Sequence, residues 1–505
     1  MAKAVAAIVC AMTMFLLLGC SADGSNTDVS RMSQQGSTVS SSETALSIER
    51  QLAALDGVMS VNPIDVSGSQ VYAQKYVVTF EQLLDHEDRS AGTFPQRVEV
   101  GIVDGAKCNV METDGSLLLD HWVRADDAHE LCSIAEGNYI HVEHRFFGAS
   151  RPQDMSNDDV EYWQYMTSKN AADDYHRIHE ELSRVLEGPW VATGTGRGGE
   201  VCAAYAYYHP SDMDLIMPYS GSFSDGLEDD RMYEFVYTGI GDQRYGAKKA
   251  KEYRDLVTSF QVELMRNKAT LAPMLRQLCE SQGSSYRTNV TDGMLFDMAV
   301  LEMAVREWQF NQESSTHQYL DVSFGSMRQI LEKPEGSDAE VKEKQQAEVM
   351  FLYALSSPGD WAPTFICWPC YVGAVTEYGH YHYDFSYLRE ACRKAGIGDV
   401  LTVRPEEEDG LLRKVVLTPE QRRAFTYDGT LREGIAKWID ATDTRMVFVY
   451  GNSDPWYALR MHDTDNPNVR LFVSGEKAHD VRIADFDEMT QREISGVVRE
   501  ALFGS

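Results

Sequence analysis

Three positions far apart in the chain carry the pattern of an acyl-transfer site, and at one of them an oxygen is missing. The stretch from Pro189 to Tyr208 reads PWVATGTGRGGEVCAAYAYY, an apolar run joined to a helical pattern through a knot of glycines. A strand that turns sharply into a helix needs small residues two places before and after its apex, because neighbouring backbone packs there. Gly194 and Gly198 stand at those flanks, so the apex is Gly196. Taking Thr195 as the apex would put Arg197 where a small side chain is required. In G-x-S-x-G the apex is the serine nucleophile, and here a glycine takes its place. A glycine cluster after a strand also suits an anion at a helix amino terminus, but GTGRGG lacks a dinucleotide fingerprint and no Walker lysine follows. Later positions favour the first reading. The order nucleophile, acid, histidine is completed by Asp454 in GNSDPWYA and His479 in GEKAHDVR. Singly, an Asp before Pro is a common turn and a loop His is commonly a surface residue. Both at the ends of consecutive strand patterns point to an acid–base pair. The backbone N–H of Arg197, next after the apex, is the expected oxyanion donor.

These residues need a scaffold of strand ends. YVVTF, RVEVGIV and LLLDHWV, between turn-rich pieces such as DHEDRSAGTFP and ETDGS, predict strands at a sheet edge leading into the main domain. NYIHVEH predicts a further strand, followed by an amphipathic helix in NAADDYHRIHEELSRVL with Ala172, Tyr175, His179, Leu182 and Val185 on one face. PWVAT, MDLIMPYS, MVFVYGN and VRLFVSG are strands, GEVCAAYAYY is a helix, and DFDEMTQREISGVVREALF closes the chain as another. Strands alternating with helices imply a mostly parallel sheet covered on both faces. The middle breaks that rhythm with helical patterns such as MLFDMAVLEMAVREWQF. The expected architecture is an α/β-hydrolase fold with a mainly helical lid insertion. Its expected parts are a signal peptide over 1–20, a flexible tether over 21–45, core over 46–222, lid or substrate domain over 223–432, and core again over 433–505.

Composition bounds the function. A chain of 505 residues that is 43% hydrophobic can bury a large core, and a formal charge of -32 argues against nucleic-acid or anionic-membrane surfaces. Lys3, the apolar run Ala4–Leu18 and LLGC before a polar segment resemble a lipoprotein signal, with Cys20 as the lipidated residue. Export with membrane contact only through that anchor follows. Seven cysteines remain (Cys108, Cys132, Cys202, Cys279, Cys367, Cys370 and Cys392), an odd set that cannot all pair within one molecule. The CWPC pair Cys367–Cys370 with His380, His382 or Cys392 hints at redox or metal chemistry. With no second CxxC, a local disulfide or buried thiols is the better reading, and no metal or cofactor is expected.

From about Tyr76 to the carboxyl end the chain resembles the S37 family of bacterial prolyl tripeptidyl or tetrapeptidyl aminopeptidases. The resemblance rests on QLLDHEDRSAGTFPQRVEV, YIHVEHRFFGASRP, NAADDYHRIH, PWVATGTGRGG, HPSDMDLIMPYSG, MLFDMAVLEMAVREWQF, GAVTEYGHYHYD, VFVYGNSDPW and the AHD turn. It implies that the family's serine falls on Gly196, its aspartate on Asp454 and its histidine on His479. Arg197 and Glu200 depart from the family's usual S-K-G-G, and Asp480 stands where a glycine is usual. It also implies peptide or protein amino termini as partners. A free ammonium needs a carboxylate, for which Glu302 and Glu377 are the candidates, with Trp308, Trp361, Tyr378 and Tyr381 as pocket walls for proline-like side chains. Each of these is equally readable as core aromatic or solvated acid. Two functions follow. One is a catalytically silent homologue that binds peptide termini, and the other is an active serine-type aminopeptidase with an unrecognised nucleophile or a Ser-to-Gly change.

Overall fold

The computed structural model describes residues 47–118, 126, 128–310, 323–334 and 336–504. The expected signal peptide with Cys20 and the expected tether lie outside the described residues. Eleven strands are present among those described: β1 (Val58–Ile64), β2 (Gln74–Leu83), β3 (Thr93–Ile102), β4 (Cys108–Thr113), β5 (Gly137–Val142), β6 (Trp190–Thr195), β7 (Leu215–Tyr219), β8 (Glu228–Asp229), β9 (His380–Tyr381), β10 (Met446–Gly451) and β11 (Val469–Ser474). Nine form one sheet in the order β1-β2-β3-β5-β4-β6-β7-β10-β11, and β8 pairs with β9. The edge β1-β2-β3-β5 is antiparallel throughout, whereas β5, β4, β6, β7, β10 and β11 run parallel.

Parallel strands bury both faces, and β10 shows how. Met446, Phe448 and Tyr450 join the core on one side of the sheet, and Val447 and Val449 join the core on the other. The first side is covered by α1 (Ser168–Leu182) and α2 (Arg197–Tyr208). Between β7 and β10 the chain leaves the sheet for α3 (Ala247–Arg266), α4 (Lys268–Ser281), α5 (Asp292–Phe310) and α6 (Asp338–Ser356). It returns through α7 (Thr430–Ile439) and ends in α8 (Glu488–Phe503), which covers the second side. α5 is buried on nearly all sides at the centre of the lid, with Leu295, Phe296, Met298, Leu301 and Met303 fully buried beside the buried acids Asp297, Glu302 and Glu307.

Two expectations need correction. The strand expected at LLLDHWV is absent at Leu117 and Leu118, and the rest of that run lies outside the described residues. The strand is instead β4, CNVMET, inside the sheet between β5 and β6. Its polar residues are satisfied by β5: Asn138 Nδ2 donates to Asn109 Oδ1 at 2.9 Å, and Tyr139 Oη donates to Glu112 Oε2 at 2.5 Å. The lid boundary expected at 432 falls within α7, whose Leu431, Ile435 and Ile439 pack into the sheet's core.

The EHRFFGASRP run is a knot of buried charge. Arg145 is fully buried, and its guanidinium donates to both Asp174 oxygens at 2.7 Å and to the carbonyls of Leu83, Leu84 and Tyr165. Glu143 accepts from Leu118 N at 2.8 Å and Ser150 Oγ at 2.6 Å. These bonds tie β2, the end of β5 and α1 together beneath the site.

Candidate active site

Gly196 sits between β6 and α2 with φ 58° and ψ -119°, a conformation that costs any residue with a Cβ. Its N–H donates to Tyr219 O at 2.9 Å, which pins the turn to β7. The flanking glycines are required by contact. A Cβ on Gly194 would lie 2.5 Å from Gly198 O and 2.8 Å from Thr113 O, and one on Gly198 would lie 2.8 Å from Thr113 O. The backbone is thus that of a nucleophile elbow. A Cβ on Gly196 would point at His479, 2.9 Å from Nε2 and 3.2 Å from Cε1.

Asp454 and His479 follow β10 and β11 directly. Asp454 is fully buried and caps the turn Pro455–Leu459 by accepting from Trp456 N at 3.2 Å. Its Oδ2 lies 2.8 Å from His479 Nδ1, which turns Nε2 toward Gly196. Ser453 N, donating to Lys477 O at 2.9 Å, locks the two loops together, and Ser220 Oγ, just after β7, holds the histidine loop by donating to His479 O at 3.0 Å. Their close approach needs Gly451, where a Cβ would stand 2.3 Å from Ala478 O.

Arg197 opens α2, so its N–H belongs to the first turn, where donors have no partner inside the helix. Gly115, in the turn after β4, packs on it: a Cβ there would lie 2.7 Å from the Arg197 backbone carbon. This turn is where such a fold supplies its second oxyanion donor. Gly115 was not a sequence candidate, although the D-G pair in ETDGS marks the turn. The Arg197 guanidinium pairs with Glu200, whose carboxyl also accepts from Ser222 Oγ, and stacks 4.8 Å from the Tyr378 ring centroid. Burial raises the Glu200 pKa against the pull of Arg197. Asp480 Oδ1 is buried and has no hydrogen-bond partner among the described residues.

The expected substrate residues separate. Tyr378 borders the site through Arg197. Glu377 accepts from Ser168 N at 2.5 Å and so clamps the lid to the first turn of α1, with burial raising its pKa. Trp308 lies inside the lid, its ring 5.6 Å from that of Phe324 and 6.4 Å from that of Tyr245. Glu302 is buried behind an aromatic relay: its carboxylate accepts from Tyr381 Oη at 2.9 Å, the Tyr381 ring lies 5.4 Å from Trp456, and Trp456 lies 6.5 Å from His479. Arg306 bonds Glu302 weakly at 3.4 Å and Asp360 at 2.8 Å. Burial raises the Glu302 pKa and lifts that of Asp360 to about 6, Arg306 opposing both. Trp361 Nε1 donates to Tyr383 Oη at 3.1 Å in the same wall. Trp456, Arg306 and Asp360 were not sequence candidates, since nothing local marks them.

All seven described cysteines are free thiols, so the Cys367–Cys370 pair takes the thiol form of the expected alternatives. Cys370 Sγ donates to Gly115 O at 3.5 Å. Burial pushes the Cys370 and Cys202 thiols up to about 12, which keeps both from serving as thiolates. No helix among the described residues is long and apolar enough to cross a membrane.

The sheet order, the elbow after β6, and the acid and histidine after β10 and β11 define an α/β-hydrolase of the serine-hydrolase arrangement, with glycine at the nucleophile's place. The chain belongs to the PS-10 peptidase S37 family, whose sequence profile matches residues 42–324. It is 22% identical over 382 residues to the prolyl tri/tetrapeptidyl aminopeptidase of Streptomyces mobaraensis, a match spanning 75% of this chain and 69% of that one. Among solved structures it overlaps proline iminopeptidase of Mycobacterium smegmatis at 10% identity and TM-score 0.30, over 88% of this chain and 99% of that one. An acetyl xylan esterase of Thermoanaerobacterium overlaps at 8% identity and TM-score 0.32, over 90% and 92%. Overlaps at that level say nothing about the site, whose reading stands on its own geometry.

Proposed function

We propose that this chain is an exported S37 homologue, anchored through Cys20, that binds the amino termini of short, proline-related peptides without cleaving them by the acyl-enzyme route. The observation that carries the reading is Gly196 at the apex of an otherwise complete elbow. Acyl transfer needs an attacking side-chain oxygen, and removing it from a triad costs on the order of 10⁶ in turnover. Among the described residues no neighbour supplies a substitute: Ser222 is bonded to Glu200, Ser220 to His479 O, and the Cys370 thiol is held protonated. Glu302 is the favoured ammonium partner, because it lies behind Tyr381 and Trp456 on the histidine's side, whereas Glu377 already caps Ser168. The intact Asp454–His479 pair and tight glycine flanks favour a second reading, an active tripeptidyl aminopeptidase in any form of the chain with serine at 196.

A fluorophosphonate probe and chromogenic Ala-Ala-Pro substrates separate the two when applied to the protein and to Gly196→Ser. The unmodified protein is expected to stay unlabelled, and Gly196→Ser to gain labelling and turnover. Labelling of the unmodified protein would overturn the silent reading. Peptide binding measured by calorimetry should weaken at least ten-fold in Glu302→Gln, and unchanged binding would remove Glu302 as the ammonium partner.

A further inference from the structure

A second cluster of ligating side chains lies in the lid, where three of its segments meet. β8 and β9 pair in parallel with Glu228 opposite His380, and His382 continues the ladder by donating its N–H to Asp229 O at 2.9 Å. The third segment is the turn at Asp409–Gly410, where Gly410 N donates to the Glu228 carboxylate, 3.0 Å from each oxygen. Glu228, His382 and Asp409 each bring a ligand atom within 4.8 Å of the others.

The imidazoles are oriented for a cation. His382 Nδ1 is bonded to Asp230 Oδ1 at 2.7 Å, while its Nε2 is buried, 3.5 Å from Asp409 Oδ1, and without a hydrogen-bond partner among the described residues. His380, itself 6% exposed, repeats the arrangement. Its Nδ1 donates to Tyr381 O at 2.5 Å, and its buried Nε2 has no hydrogen-bond partner among the described residues and lies 3.9 Å from Glu228 Oε1. A ring whose far N–H is tied to a carbonyl or carboxylate presents its near lone pair, as metal-ligating histidines do. Here both lone pairs face carboxylate oxygens, beyond hydrogen-bonding distance. Donors around one tetrahedral Zn²⁺ stand roughly 3.4 Å apart at bond lengths of ~2.0–2.2 Å. The 3.5 Å between His382 Nε2 and Asp409 Oδ1 matches that value, and Glu228, within 4.8 Å of both, reaches it by closing in on the ion.

We propose that Glu228, His382 and Asp409 bind a divalent transition-metal ion, for which mixed imidazole and carboxylate donors favour Zn²⁺, with His380 Nε2 lying against the Glu228 carboxylate at its edge. The ion joins three lid segments and holds β9, whose Tyr381 stands between Glu302 and Trp456. Its role is therefore to fix the wall of the peptide site. A further His176, His209 and Asp212 group is less suited, because those two rings stack at 4.1 Å and 7° and each is hydrogen-bonded to a carboxylate at 2.7 Å. One ion cannot lie in two parallel ring planes.

The test is a Zn²⁺ titration of the untagged, chelator-stripped protein, read by bound-metal content and by Tm. One Zn²⁺ per chain and a saturable rise in Tm are expected. Asp409→Ala, which removes an exposed carboxylate, should weaken the affinity at least ten-fold with the metal-free Tm unchanged, and Asp230→Asn should do the same through the His382 ring. His209→Asn should leave the affinity as it was. Absence of stoichiometric Zn²⁺, an unchanged affinity in Asp409→Ala, or a loss in His209→Asn would each overturn the assignment.

Discussion

At the scale of single residues, Gly196 and His479 are coupled by the space between them. Restoring a serine puts a Cβ at φ 58° and 2.9 Å from His479 Nε2, so the ring must yield by a few tenths of an ångström. Gly196→Ser is therefore expected to lower stability by about 1–3 kcal/mol in chemical denaturation while it gains fluorophosphonate labelling. His479→Ala in that background should abolish the labelling. A second residue-scale prediction concerns His141, whose ring lies 2.8 Å from Asp114 Oδ2 beside the oxyanion turn. Burial, the largest single influence, opposes its charge, but Asp114 together with Glu112 and Glu99 outweighs it and raises the pKa from 6.5 to about 9. A folded pKa above the unfolded one gives stability that is full below pH 6.5 and is lost as pH rises through about 9. The stability difference between the protein and His141→Gln should shrink over that window in urea unfolding. A difference that grows would reverse the assignment.

At the scale of elements, two turns carry the site and one knot holds them. The turn after β4 touches Arg197 so closely that Gly115→Ala must displace it. In the Gly196→Ser background this change should cost about 10²–10³ in turnover, the usual loss for an oxyanion donor, with little change in KM. Equal losses in binding and turnover would show that Gly115 only shapes the pocket. Beneath the turns, Arg145 satisfies Asp174 and three carbonyls with no exposure to water. Arg145→Met leaves that buried carboxylate with His86 Nε2, 2.8 Å away, as its remaining side-chain partner and strips three carbonyls of their donor, so a loss of about 3–5 kcal/mol in unfolding free energy is expected. This gives the EHRFFGASRP run a structural purpose, since Arg145 holds β2 and the end of β5 to α1.

At the scale of the molecule, the lid is an excursion that leaves the sheet intact. β7 and β10 pair in parallel, Ile216 with Met446 and Tyr219 with Val449, although most of the lid separates them in sequence. The lid helices build a hydrophobic cluster distinct from the two that cover the sheet, and Glu377 and Cys370 reach across to α1 and the turn after β4. The overall charge of -32 sets the remaining prediction. At about 150 mM salt the protein should neither shift a duplex DNA probe nor bind a sulfated polysaccharide column, because such binding depends on clustered cations. Retention on either would reveal a basic surface that the composition hides.

The sequence by itself determined the elbow and the positions of Asp454 and His479, because those signals are local. Glycine spacing around an apex and a polar residue directly after an apolar run can be read without knowing what packs beside them. It also determined the alternation of strands and helices from Asn138 onward, where buried parallel strands are plainly apolar. Tertiary structure alone decided the place of β4, because Asn109 and Glu112 look like loop residues until Asn138 and Tyr139 are brought against them. It likewise decided that Gly115 meets Arg197, that Glu377 serves α1 while Glu302 stands behind Tyr381, and that His380 and His382 turn their free nitrogens toward acids from distant segments. A side chain's type is written in the chain, but its partner is set by which segments the sheet and lid bring together.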